Sequence, residues 1–114
     1  MVTGPVSMQQ SVQAWAAHNI PANDPAHQAL NVAEEAGELC RAVLKRVQGI
    51  RGTREQWTAE VRKEAADVVL SLYNLAIIEG FDLDEAVRER WQAVEQRDWV
   101  SDPVGHGVGG DGPV

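Results

Sequence analysis

Cysteine is nearly absent from this chain of 114 residues: Cys40 is the only one. A lone thiol makes an intrachain disulfide impossible and leaves no thiolate cluster for zinc, so a reducing, cytoplasmic setting is expected. Basic charge is also scarce, with 10 Lys and Arg against 17 Asp and Glu, a formal charge of -7. That balance opposes non-specific attraction to nucleic-acid phosphates and to anionic membranes, and no nucleic-acid partner is expected. No apolar run is long enough for a bilayer, since the longest, over 68–78, is broken by Ser71, Tyr73 and Asn74. The N-terminus shows no basic segment followed by an apolar one, which predicts neither export by a signal peptide nor membrane insertion. There is no internal repeat.

What remains is 44% apolar side chains in a chain of one-domain length, enough to bury a core. Start and stop signals divide it into four helical segments. Ser7 with Gln10 is a capping box, and Pro21 ends the apolar spacing of Met8, Val12 and Trp15, giving a helix over 8–19. Asp24 before Pro25 reads as N-cap and first helical residue, and Gly49 as the stop of a helix over 25–48. Thr53 with Gln56 repeats the capping box, and Gly80 closes a helix over 54–79. Asp82 with Glu85 opens a fourth, over 83–98. Short connections between helices predict an all-α, four-helix bundle-like domain over 1–100. The glycine- and proline-rich 101–114 offers little apolar area against its ordering entropy and is expected to be disordered.

Charge is concentrated in an unexpected place. Glu34, Glu35 and Glu38 crowd the second helix, beside its main apolar stripe of Leu30, Gly37, Cys40, Leu44 and Val47, which is expected to face the core, with Glu35 bordering a second apolar arc of Val32, Leu39 and Val43. Glu35 and Glu38 project from adjacent turns, about 60° apart, and can grip one ion together at the core's rim. The third helix is apolar on nearly every side after Glu64, which predicts burial all round and cover from further copies of the chain. Yet Glu60, Glu64, Asp67, Ser71 and Asn74 follow one another at helical spacing along a single strip. Buried carboxylates need partners, and a hard cation is the partner that oxygen clusters serve best. A plainer alternative closes the strip with salt bridges to Arg62, Arg90 or Arg97, two of which share the apolar face of the fourth helix. A di-iron centre requires a Glu-x-x-His pair; Glu38 and Asp67 stand where those histidines would be, so an all-oxygen shell suits magnesium or manganese better. The four tryptophans, Trp15, Trp57, Trp91 and Trp99, read as core and interface anchors, any one of which can also stack on a base.

The pairs Glu35-Ala-Gly-Glu38 and Glu64-Ala-Ala-Asp67, with "EEAGEL", "EAADVVLSL", "GFDLDEAV" and "RERWQAVEQRDW" around and after them, resemble the MazG-like all-alpha nucleotide pyrophosphohydrolases over roughly 27–99. The resemblance implies magnesium-dependent cleavage of a nucleoside triphosphate between its α and β phosphates, by a homodimer or homotetramer. It implies Glu35, Glu38, Glu64 and Asp67 as metal ligands, with Glu34 adjacent as a second layer or a base that orients water. Arg90 and Arg97 fit the family's phosphate-binding cations, but Val94 stands where an asparagine is common, a place Asn74 can fill; Lys45 is a further candidate for the leaving pyrophosphate. A non-catalytic nucleotide-binding or helical interaction module on the same scaffold is the competing expectation.

Overall fold

The computed structural model describes residues 6–104, so the ends of the chain, including most of the tail expected to be disordered, lie outside the described residues. Within them run four helices and no strand: α1 (Met8–Asn19), α2 (Pro25–Gln48), α3 (Arg54–Glu79) and α4 (Leu83–Val94). Residues group into two compact units, Met1–Phe81 and Asp82–Val114.

Local chemistry accounts for the helix ends of the first unit. Both expected capping boxes form, Ser7 with Gln10 and Thr53 with Gln56, each pair exchanging two hydrogen bonds and satisfying two otherwise orphaned N–H groups. Asp24 accepts from the His27 N–H ahead of Pro25. Gly49 and Gly80 end α2 and α3 in the left-handed region, at φ 67° and 81°. Nothing lies within 4 Å of a Cβ built on Gly80, so Gly80→Ala is expected to cost only backbone strain, about 1 kcal/mol. Chemical denaturation should show that loss with an unchanged m-value.

Within the first unit α2 packs on α3 and α1 on α3. The two long helices are antiparallel: Gln28 meets Ser71 and Asn74 near one end, Glu35 meets Asp67 midway, and Arg46 meets Thr58 near the turn. That turn is pinned by Trp57, whose indole N–H donates to the Ile50 carbonyl at 2.9 Å while the Arg41 guanidinium lies 5.7 Å from the ring centre.

The buried centre is unusual in composition, for Ala16, Ala42 and Ala76 are accompanied by Gln28, Glu64, Ser71 and Asn74. Of the two apolar arcs of α2 it buries the second, not the main stripe. Leu30, Leu44, Val47 and Cys40 are exposed, and α2 instead turns Gln28, Val32, Glu35, Leu39 and Ala42 inward. The reason is the polar strip of α3: a buried Asn74 needs a hydrogen-bonding partner more than it needs apolar cover, and Gln28 supplies it while donating to the Ser71 main-chain carbonyl. Burial of α3 all round is likewise not seen in the single chain, where Val69 and Leu70 remain exposed. Trp15, Trp91 and Trp99 are exposed too, so of the four tryptophans only Trp57 is partly buried.

In the second unit Asp82 caps α4 by accepting from the Glu85 N–H at 3.0 Å. The helix stops at Val94, four residues short of the expected end. Gln96 and Arg97 bond back three residues, to Ala93 and Val94. Asp98 then takes the N–H groups of Val100 and Ser101, an aspartate turn that competes with a further helical turn.

Candidate metal centre

Helical spacing places Glu64 and Asp67 on adjacent turns of α3, and the antiparallel register brings Glu35 of α2 across from them. One carboxylate oxygen from each lies within 4.8 Å of the other two. Glu64 is buried, whereas Glu35 and Asp67 are half-buried. An all-oxygen set gathered this closely is of the kind that a hard divalent cation takes, the side chains drawing in to coordination distance.

Electrostatics point the same way. The Glu35 carboxyl is pushed above its ordinary range, first by partial desolvation and then by the charges of Asp67, Glu64, Glu34 and Glu38. A raised carboxyl pKa means that the native state holds more protons than the unfolded state in the window just above 4.5. Stability therefore falls as pH rises through that window, and at neutral pH the ionised Glu35 works against folding. Glu35→Gln is expected to raise the melting temperature at neutral pH in chelator, with the gain disappearing below about pH 4.5, where the wild-type carboxyl is protonated in both states. Thermal melts of both proteins across that range check the sign.

One protein cation already answers part of this charge, and the sequence reading missed it. The Lys63 ammonium lies 3.0 Å from Glu64 Oε1 and 3.6 Å from Asp67 Oδ2. Its pKa is pushed up by the hydrogen bond with Glu64 and by that carboxylate's charge. The four-residue step from Lys63 to Asp67 was the available signal.

The other expected site residues are distributed unevenly. Glu34 and Glu38 are exposed on α2, and Glu38 stands one turn beyond Glu35 without joining the three-carboxylate group. Asn74 is buried and lines a cavity of about 560 Å³ together with Glu35 and Asp67. Lys45 does not reach the cluster within one chain, because ten residues of helix carry it about 15 Å along the axis from Glu35. Its ammonium instead lies 3.3 Å from Gln48 Oε1. Arg90 and Arg97 belong to the second unit, where the Arg97 guanidinium lies 6.0 Å from the centre of the Trp99 ring. A larger hollow of about 780 Å³ follows one face of α3 from Arg54 to Ala66 and carries none of the three carboxylates.

A family model described as the MazG nucleotide pyrophosphohydrolase domain matches residues 24–99. The chain belongs to that family. The match runs from the Asp24 cap through both carboxylate-bearing helices of the MazG domain and on past α4 to Trp99. No curated protein and no solved structure matches the chain. No helix of this MazG domain, among the described residues, is long and apolar enough to cross a membrane.

Proposed function

We propose that this MazG domain hydrolyses a nucleoside triphosphate between its α and β phosphates, releasing the monophosphate and pyrophosphate, with magnesium or manganese as cofactor. The observation that carries the reading is the convergence of Glu35, Glu64 and Asp67 at the edge of a cavity large enough for a small-molecule ligand. Glu38, one turn along α2, is the fourth ligand in this reading, reached by a side-chain rotation. When bound, the cation supplies positive charge against the phosphates and Lewis acidity at the reacting phosphoryl group.

The protein's own groups do the rest. Four carboxylates alone would repel a polyanion, so substrate and cation enter together. Glu34, exposed beside Glu35, accepts a hydrogen bond from the attacking water at a carboxylate oxygen and then takes its proton. Water adds at one phosphorus of the anhydride, the bond to the bridging oxygen breaks, and that oxygen leaves with the electron pair. Arg90 and Arg97 balance charge on the departing pyrophosphate. Asn74, at the inner end, contacts the nucleoside. A homodimer or homotetramer that covers Leu30, Leu44 and Val47 completes the reading.

The Lys63 contacts favour a second reading, in which the carboxylates are closed by protein cations and the module only binds or docks. Pyrophosphate release from a panel of nucleoside triphosphates, with magnesium, manganese or chelator, separates the two. Metal-dependent release from at least one triphosphate is expected; none from any, with helical circular dichroism intact, would leave the binding module.

A further inference from the structure

Lys63 stands between two features of α3. It lines the larger hollow beside Arg54, Thr58, Arg62 and Ala66, yet its ammonium reaches the carboxylate rim. Successive residues on a helix point about 100° apart, so a lysine meets the glutamate beside it only by folding its stem across the helix surface. The ammonium donates to Glu64 Oε1 at 3.0 Å while standing 3.6 Å from Asp67 Oδ2. One exposed cation thus covers two of the three converging carboxylates.

The two ends of that contact are unequally held. The Glu64 side chain is 10% exposed and the Lys63 side chain 61%. A carboxylate buried to that degree needs a partner, whereas so exposed an ammonium keeps most of its water whether it stays or leaves. Ion pairs with one end in solvent shift an equilibrium by only a small factor, so the lysine can depart at little cost. It has to depart for a metal to bind. An ammonium and a divalent cation draw on the same carboxylate oxygens and repel each other there.

We infer that Lys63 is an exchangeable counter-ion of this site: it covers Glu64 and Asp67 in the absence of metal, swings out to the open hollow when a divalent cation takes them, and so sets the concentration at which the site loads. The inference rests on the metal reading above and adds to it a residue outside the ligand set. It differs from permanent closure by protein cations, because the lysine is displaced.

Manganese is titrated into the full chain and the free ion followed by electron paramagnetic resonance, in the wild type, Lys63→Met, Lys63→Arg and Asp67→Asn. Methionine keeps an unbranched stem and the helix propensity but carries no charge. Lys63→Met is expected to bind manganese roughly fivefold more tightly than the wild type, and Lys63→Arg within about twofold of it. The gain should shrink as salt is raised, because an exposed ammonium is readily screened. Equal affinity in Lys63→Met and the wild type would overturn the exchange and leave the metal site standing, even if the variant melts at a lower temperature, since a structural ion pair adds stability without opposing the metal. A tightening in Lys63→Arg as large as that in Lys63→Met would overturn it as well, because arginine retains the charge. No manganese binding by the wild type or Lys63→Met, or binding undiminished in Asp67→Asn, would overturn the site itself and the exchange with it.

Discussion

Asp67→Asn is expected to lose metal-dependent pyrophosphate release by more than the ~100-fold typical of removing an outer partner of a metal site, while its helical circular dichroism stays that of the wild type. The substitution keeps size and hydrogen-bonding capacity but removes one of three charges that meet within 4.8 Å. Because Asp67 is half-buried and its carboxylate adjoins an exposed Lys63, folding loses little. Glu38→Gln provides a graded comparison. In the proposed mechanism it too is a ligand, but its exposed position outside the three-carboxylate group means that the loss depends on the rotation that brings it in. Parallel initial-rate measurements at saturating magnesium give the ratio. Wild-type turnover in Asp67→Asn would remove the carboxylates from the chemistry.

Gln28→Leu is expected to be the most destabilising single change in the first unit. Gln28 is 1% exposed and its amide holds Ser71, Asn74 and Asn23 together. Leucine fills a similar volume but leaves the Asn74 amide without its partner and removes the second donor to the Ser71 carbonyl, which keeps its place in the helix. One stranded buried amide at roughly 1 to 3 kcal/mol makes a loss of about 2 kcal/mol reasonable. For a unit of this size the melting temperature should fall by roughly 10 °C or more. The contrast is Leu30→Gln, two residues away on the same helix but 68% exposed, which should change stability by less than about 0.5 kcal/mol in the monomer. Equal effects at 28 and 30 would show that the apolar stripe of α2, not the amide chain, is the packing face.

That contrast marks where the sequence was legible. Helix boundaries were, because capping boxes at Ser7 and Thr53, the Asp24–Pro25 pair and the glycines at 49 and 80 act locally, through groups a few residues apart. The end of α4 was not, since Asp98 bonds forward to Val100 and Ser101 and competes with a helix that periodicity alone would extend. The acidic strip of α3 was visible as a spacing, and Glu35, Glu64 and Asp67 do converge. Which of the two apolar arcs of α2 meets that strip was ranked wrongly, because counting apolar residues gives no weight to a glutamine. Gln28 matters only through partners 43 and 46 residues away, and nothing in its neighbourhood announces them. Lys45 has a charge that suits a phosphate, and within one chain helix geometry holds it three turns from the carboxylates.

The central claim is that Glu35, Glu64 and Asp67 form a cation site, and thermal melting of the full chain in chelator and then in saturating magnesium or manganese tests it most directly. A cation at a hundredfold its Kd adds about 2.7 kcal/mol to the native state, which for a unit of this size raises the melting temperature by roughly 10 °C. The account predicts that rise in the wild type and its absence in Asp67→Asn. No rise in the wild type, or the same rise in both proteins, would contradict it.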